Sequence, residues 1–394
     1  MLTAIKQALQ GLFITFLLAG VMACSGNSSP KSATTPVVTP NQPEPSSPTP
    51  DPRNNENYWL GADISSLTEL VEQGAIFVDT DGTELSLFAL LKNHGFNAIR
   101  LRTFVEPANQ YGYASTDNCA GKLQAYNDKD HIVAFAQQVK AQGMKLLLDF
   151  HYSDTWADPN KQVIPAAWRQ FNTIEDLAAQ VEAYTSDVMH ALSEVNALPD
   201  MVQVGNEITH GMLVHLPTAN TDCYGNQSVK AQSVNGSTDN WTNLARLLKA
   251  GIKGVKQVAV DTPIMMHIEN TGDLAGIKNW LQNAQTNEVE FDVLGLSAYE
   301  QWQGPSNRWD STLSALAEQF PDLSFSIVEY NPQRTLVNNI IYNLPNSRGI
   351  GTFFWEPALS GEWGSAMFKR EGNLYIAKPE DFAEFDLIRQ NIGL

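Results

Sequence analysis

A (β/α)8 barrel is the fold class this 394-residue sequence predicts, on three observations. From Leu60 onward, short apolar, β-branched runs alternate with longer amphipathic ones, the pattern of a parallel sheet with crossover helices. Eight such units follow one another, in a stretch somewhat longer than the ~250 residues usual for a closed barrel. Polar residues gather at the ends of the runs, where barrel active sites are built.

The candidate strands are Leu60–Ile64, Asn97–Thr103, Lys145–His151, Met201–Gly205, Pro263–His267, Val293–Ser297, Ser324–Glu329 and Gly349–Trp355. Between them Lys129–Gln142, Ile174–Val195, Trp241–Val258 and Thr312–Phe320 read as helices. In the first of these, Ile132, Val133, Phe135, Ala136 and Val139 recur at the 3.6-residue spacing of one buried face. Gly95 and Gly143 stand where a helix stops and a strand begins, since glycine takes a left-handed cap without strain. An open doubly wound sheet is the competing architecture, but no GxGxxG follows the first strand to support it.

The N-terminus is read apart from the fold. Lys6, an apolar stretch from Gly11 to Met22 and a small Ala23 follow the order of a secretory signal over residues 1–23. The stretch is too short for a permanent spanning helix. Val21-Met22-Ala23-Cys24 resembles a bacterial lipobox, so Cys24 is a lipidation candidate and the first mature residue. Residues 24–57 hold eight prolines and few large apolar side chains; they cannot offset their ordering entropy and read as an extended linker. These features predict export and a lipid anchor in the bacterial outer membrane, or plain secretion. Any contact with a membrane is expected through that lipid alone.

Residues 58–394 read as one domain and a monomer. The net charge of −18 excludes a nucleic-acid partner, which needs clustered Lys and Arg. Cys119 and Cys223 fall in predicted loops on the same side of the barrel. They are either a disulfide or two buried thiols, and their spacing fits no zinc site.

The polar strand ends run as follows: Asp63; Arg100 and Arg102; Asp149 and His151; Asn206-Glu207; His267 and Asn270; Tyr299; Glu329; Trp355-Glu356. A buried charge without a partner costs several kcal/mol, so a full polar ring implies a site. Two carboxylates on opposed strand ends can divide the hydrolysis of a glycosidic bond, one delivering a proton and the other attacking the anomeric carbon. Glu207 ends strand four and Glu329 ends strand seven. Arg102 is expected to keep Glu329 ionised, Asn206 to hold a sugar 2-hydroxyl, and Tyr299 to orient the nucleophile. Trp156, Trp302, Trp355 and Trp363 are candidate sugar platforms, while Trp241 and Trp280 read as core.

Longer motifs sharpen this. Leu-Leu-Asp149-Phe-His151-Tyr-Ser-Asp154-Thr-Trp156-Ala-Asp158-Pro159, then Lys161-Gln162 and Pro165-Ala-Ala-Trp168, closely resembles the strand-three segment of glycoside hydrolase family 53. So do Gly61-Ala-Asp63-Ile-Ser-Ser66, Val202-Gln-Val-Gly-Asn206-Glu207-Ile208 with Gly211-Met-Leu, Met266-His267-Ile268 and Phe354-Trp355-Glu356-Pro357. The resemblance implies an arabinogalactan endo-β-1,4-galactanase, a retaining barrel hydrolase acting on the β-1,4-galactan of pectin side chains and on galacto-oligosaccharides. It implies Glu207 as acid/base and Glu329 as nucleophile. Asp63, Arg102, Asp149, His151, Asp154, Trp156, Asn206, His267, Tyr299, Trp302 and Trp355 are then the substrate-binding candidates. No cofactor and no metal is expected. A mannanase, a cellulase and a non-catalytic glycan-binding lipoprotein are the alternatives.

Three departures from the family pattern stand out. After strand six this chain reads Tyr299-Glu300-Gln301-Trp302 where many relatives have Tyr-Pro-Phe or Tyr-Pro-Trp, which adds a third carboxylate. The segments Tyr330–Arg348 and Ala358–Phe368 are short, and the second carries no cysteine and no cluster of calcium ligands.

Overall fold

The computed structural model describes residues 57–115, 124–217 and 227–394. The signal-like segment, Cys24, most of the linker, Cys119 and Cys223 lie outside the described residues. Eight parallel strands close into a barrel: β1 (Trp59–Asp63), β2 (Ala98–Thr103), β3 (Lys145–Phe150), β4 (Met201–Val204), β5 (Ile264–Ile268), β6 (Val293–Ala298), β7 (Ser324–Tyr330) and β8 (Gly349–Trp355). Each strand pairs with its sequence neighbours, and β1 closes on β8 with Asp63 opposite Trp355. All eight strands therefore stand where the sequence predicts them, within two residues at each end.

The helices begin on polar caps. Asp128, Thr173, Asn240 and Asp273 each accept a hydrogen bond from a backbone N–H in the first helical turn, a donor with no intrahelical partner. Gly95 and Gly143 adopt φ of +90° and +67° where helices end, as the breaker pattern requires. The predicted helices appear as Lys129–Ala141, Ile174–Glu194, Trp241–Lys256 and Trp309–Gln319.

Strand side chains alternate between the helical layer and the barrel interior. The interior has two storeys. The lower is apolar: Trp59, Ala98, Leu147, Met201, Met265, Val293, Val328 and Phe353 form one closed cluster. Gly61 belongs here, because a Cβ on it would lie 2.4 Å from the Phe353 ring. One pleat higher stand Asp63, Arg100, Asp149, Gln203, His267, Ser297 and Glu329, all buried. The plug thus shuts the barrel from below and sets a polar floor beneath the strand ends.

One feature has no counterpart in the sequence-based reading. A four-stranded sheet joins Ile76–Val78 and Glu84–Leu85 to the late hairpin Phe368–Glu371 and Leu374–Ala377. The last helix, Pro379–Ile392, follows it and buries Phe382, Phe385, Ile388 and Ile392. His94 lies between Asp79 (3.0 Å) and Asp386 (3.1 Å), linking that helix to the first βα segment.

Candidate active site

Arg100 organises the floor. Its Nη1 donates to Glu329 Oε1 (2.9 Å) and Asp63 Oδ2 (3.2 Å), and its Nη2 to Asp149 Oδ2 (2.8 Å) and Asn206 Oδ1 (2.8 Å). Its Nε donates to Gln203 Oε1 at 3.2 Å, so all five guanidinium N–H groups are engaged. Arg102, expected to pair with Glu329, instead donates to Asp63 Oδ1 (3.3 Å) and Glu356 Oε1 (2.8 Å). It stacks 4.1 Å above the centre of the Trp156 ring. Both arginines face inward, but Arg100 sits one pleat deeper, opposite Asp63 on β1, and its side chain reaches Glu329 and Asp149, whereas Arg102 lies opposite Asp149 on β3 and nearer the strand ends.

Replacing Arg100 with methionine would leave Asp63, Asp149 and Glu329 without their shared cation. Breaking a buried pair this way costs about 3–5 kcal/mol, so the variant is expected to melt several degrees lower. A thermal melt superimposable on the parent's would contradict this assignment.

The two glutamates are held by different means. Glu329 is re-aimed by a bulge in β7: Leu296 pairs with Ile327, but the next residue, Ser297, pairs with Glu329. Val328 falls in the gap and faces the plug, and Glu329 can then meet Arg100. Glu207 follows the turn at Gly205 and has a left-handed backbone, φ +47°. Gln162 steadies that turn, its Nε2 donating to the carbonyls of Asn206 (2.8 Å) and Glu207 (3.4 Å). Tyr152, Leu213, Asn270, Gln333 and Glu356 share positive φ and also lie beyond strand ends, so backbone strain is concentrated at this mouth.

Their electrostatics differ too. Glu207 keeps part of its surface open, yet the protein crowding its carboxyl desolvates it. That desolvation, and then the Glu329 charge, push its pKa well above the carboxylate range. Glu329 is desolvated as well, but Arg100 opposes the rise and its pKa is lifted to about 7. Of the pair, Glu207 is therefore the one that keeps a proton, and Glu329 ionises first.

The remaining predicted residues are distributed around this floor. Asp63 accepts from both arginines and from Ser65, and Asp149 from Arg100 and Gln203 (2.7 Å). His151 Nδ1 accepts from Ala157 N (3.0 Å), and its Nε2 lies 3.1 Å from Asp149. Asp154 anchors loops by accepting from the backbone of Glu106 and Ala166, and burial lifts its pKa to about 6. His267 is fully buried behind Asn206 and Ser297. Tyr299 is buried; desolvation, then the charges of Glu329 and Glu207, keep its phenol protonated.

Trp156 and Trp355 meet at 6.0 Å between ring centres. Trp302 stands out at 53% exposed and packs edge-on against Tyr299. Trp280 is core as expected, and Trp241 packs beside it. Glu300 faces solvent; its carboxylate accepts from Ser306 N (2.9 Å) and Gln333 Nε2 (2.8 Å), and the Ser306 hydrogen bonds lower its pKa. It ties the strand-six loop to the strand-seven loop.

Sequence reasoning passed over Gln203, Ser297 and Glu269. The first two carry a readable signal: each shares inward parity with an apolar plug residue, Met201 or Val293, in an otherwise apolar strand. Glu269, hydrogen-bonded to Thr209, follows β5, and burial raises its pKa. Among the described residues, no group of three or more His, Cys, Asp or Glu side chains is placed to hold a metal ion.

Known proteins resemble this chain in varying degree. A family model described as glycosyl hydrolase family 53 matches residues 59–336. An uncharacterised protein from the bgaB 5′ region of Niallia circulans is 32% identical over 355 residues, covering 81% of this chain and 89% of that protein. An arabinogalactan endo-β-1,4-galactanase of Thermothelomyces thermophilus is 30% identical over 338 residues, covering 76% of this chain and 89% of that protein. Among solved structures, one described as a fungal β-1,4-galactanase aligns with a TM-score of 0.68 at 26% identity, covering 84% of this chain and 99% of its own.

Proposed function

Because the chain belongs to glycosyl hydrolase family 53, we propose that it is an endo-acting, retaining β-1,4-galactanase with Glu329 as nucleophile and Glu207 as acid/base. The observation that carries the reading is the asymmetry of the two carboxyls. Arg100 holds one of them toward its ionised form, and crowding holds the other protonated. In the first step Glu329 attacks the anomeric carbon of a galactosyl unit while Glu207 protonates the departing O4 of the next. Glu207, now ionised, takes a proton from water, which releases the sugar from Glu329 with its β configuration restored.

Relatives named as galactanases support β-1,4-galactan as the substrate. Trp302 presents an exposed ring for galactose, Trp156 and Trp355 stand together beside the polar floor, and Asn206 adjoins Glu207. Reducing-sugar release from β-1,4-galactan, β-mannan and carboxymethylcellulose tests the assignment. Release from galactan alone is expected, and preference for either other polymer would remove it. The N-terminal features support an exported protein anchored through lipidated Cys24 and a proline-rich tether.

A pH profile is a second expected result. The attacking form needs Glu329 ionised and Glu207 protonated. kcat/KM should therefore fall as pH drops through the lower apparent pKa of the pair, near neutrality. It should fall again as pH rises through the higher one. A profile flat from pH 5 to 9 would contradict the pairing.

A further inference from the structure

His267 Nδ1 lies 2.9 Å from Asn206 Oδ1. That atom is an oxygen, because Arg100 Nη2 donates to it at 2.8 Å. An amide oxygen only accepts, so Nδ1 carries a hydrogen. Two other groups approach Nδ1 but do not reverse this. Gln203 Nε2, at 3.2 Å, has its two hydrogens directed to Asp149 Oδ1 (2.7 Å) and Gly205 O (3.0 Å), and the Glu207 N–H points at Nδ1 only across a long 3.4 Å contact, against 2.9 Å to Asn206 Oδ1.

The imidazole is neutral, because burial, then the Arg100 charge, keep its pKa well below the ordinary histidine value. A neutral ring with its hydrogen on Nδ1 has a bare Nε2. The neighbour of Nε2 is Ser297 Oγ, at 3.0 Å. Ser297 has one hydroxyl hydrogen, and it goes there. Yet the same Oγ also lies 2.7 Å from Glu207 Oε1, a contact that needs a hydrogen of its own. Only the carboxyl can supply it.

We propose that Ser297 and His267 form a directed acceptor chain that holds the proton of Glu207: Glu207 Oε1–H to Ser297 Oγ, Ser297 Oγ–H to His267 Nε2, and His267 Nδ1–H to Asn206. The chain is built in. Ser297 and His267 are both fully buried, and Thr271 Oγ1 donates to the Ser297 carbonyl. When Glu207 gives its proton to the departing sugar oxygen, Ser297 must turn its single hydrogen to the new carboxylate. His267 Nε2 is then left facing an oxygen lone pair. Ionised Glu207 is therefore disfavoured until the proton returns from water. Ser297 is a positioning residue, acting on the reaction through Glu207.

The inference rests on Glu207 as general acid. Glu329 from β7, Glu269 after β5, Asp158 from the strand-three loop and Tyr299 after β6 also face Glu207. All remain in place when Ser297 alone is changed.

Two measurements test it. The first is the nitrogen-15 spectrum of histidine-labelled full-length protein, which needs no substrate and so fails separately from the galactanase reading. His267 is expected with Nδ1 protonated and Nε2 bare; a protonated Nε2 would overturn the chain. The second is kcat/KM against pH on galactan. In Ser297→Ala the alkaline limb is expected to move about 0.5–1 unit toward lower pH, the worth of one neutral hydrogen bond to the protonated acid. Ser297→Thr, which keeps the hydroxyl, should restore it. An unmoved limb, or one moved upward as for a serine that simply donates to the carboxylate, overturns the proposal.

Discussion

Replacing Glu329 with alanine is expected to lower kcat on galactan by about 10⁴-fold or more, the scale of loss when a covalent nucleophile is removed. Oligosaccharide affinity should survive. Arg100 keeps Asp63 and Asp149 as partners, so the floor stays paired and even sheds one negative charge. Isothermal titration with galacto-oligosaccharides alongside single-turnover kinetics separates the two effects. Retention of activity within tenfold would remove Glu329 as the nucleophile.

Glu207→Ala should behave differently, because a general acid matters in proportion to how poor the leaving group is. On galactan the loss is expected to reach about 10²–10⁴-fold. An aryl β-galactobioside with an acidic phenol needs little protonation, so its first step should be largely spared. Water then attacks without its base, and an initial burst of phenol should give way to slow turnover. The variant should also lose the alkaline limb of the pH profile. Equal losses on galactan and on the aryl substrate would show that Glu207 does something other than donate a proton.

Barrel topology was legible because it rests on local chemistry. Apolar β-branched runs, the 3.6-residue period of the helices and glycine stops each operate over a few residues, and the eight strands followed from them. Gly205 shows where such reading errs by one: it extends the apolar run of β4, but its φ of +85° ends the strand at Val204. Glu207 and Glu329 were legible as well, since a carboxylate at the end of a buried strand is costly to desolvate unless a site makes use of it. The partner of Glu329 was not. Arg100 and Arg102 share inward parity, and only the closed barrel shows that the deeper Arg100, opposite Asp63, is the one whose side chain reaches Glu329 and Asp149.

The bulge at Val328, which brings Glu329 opposite Ser297, is likewise a property of paired strands, invisible in either strand alone. So is the late hairpin at Phe368–Ala377, whose partner strand Ile76–Val78 lies almost 300 residues earlier in the chain. Glu300 illustrates the reverse case. As a departure from the family pattern it stood out as a third carboxylate of open role, and its hydrogen bonds to Ser306 and Gln333 show a link between loops.

The central claim is that Glu207 and Glu329 act by double displacement on β-1,4-galactan. Proton NMR of the first reducing ends released from that polymer, recorded before mutarotation, tests it most directly. The account predicts β-configured galactose ends on a mixture of internal-cleavage oligosaccharides. Initial α-configured ends would mean a single displacement with Glu329 serving as base to a water, and would contradict it.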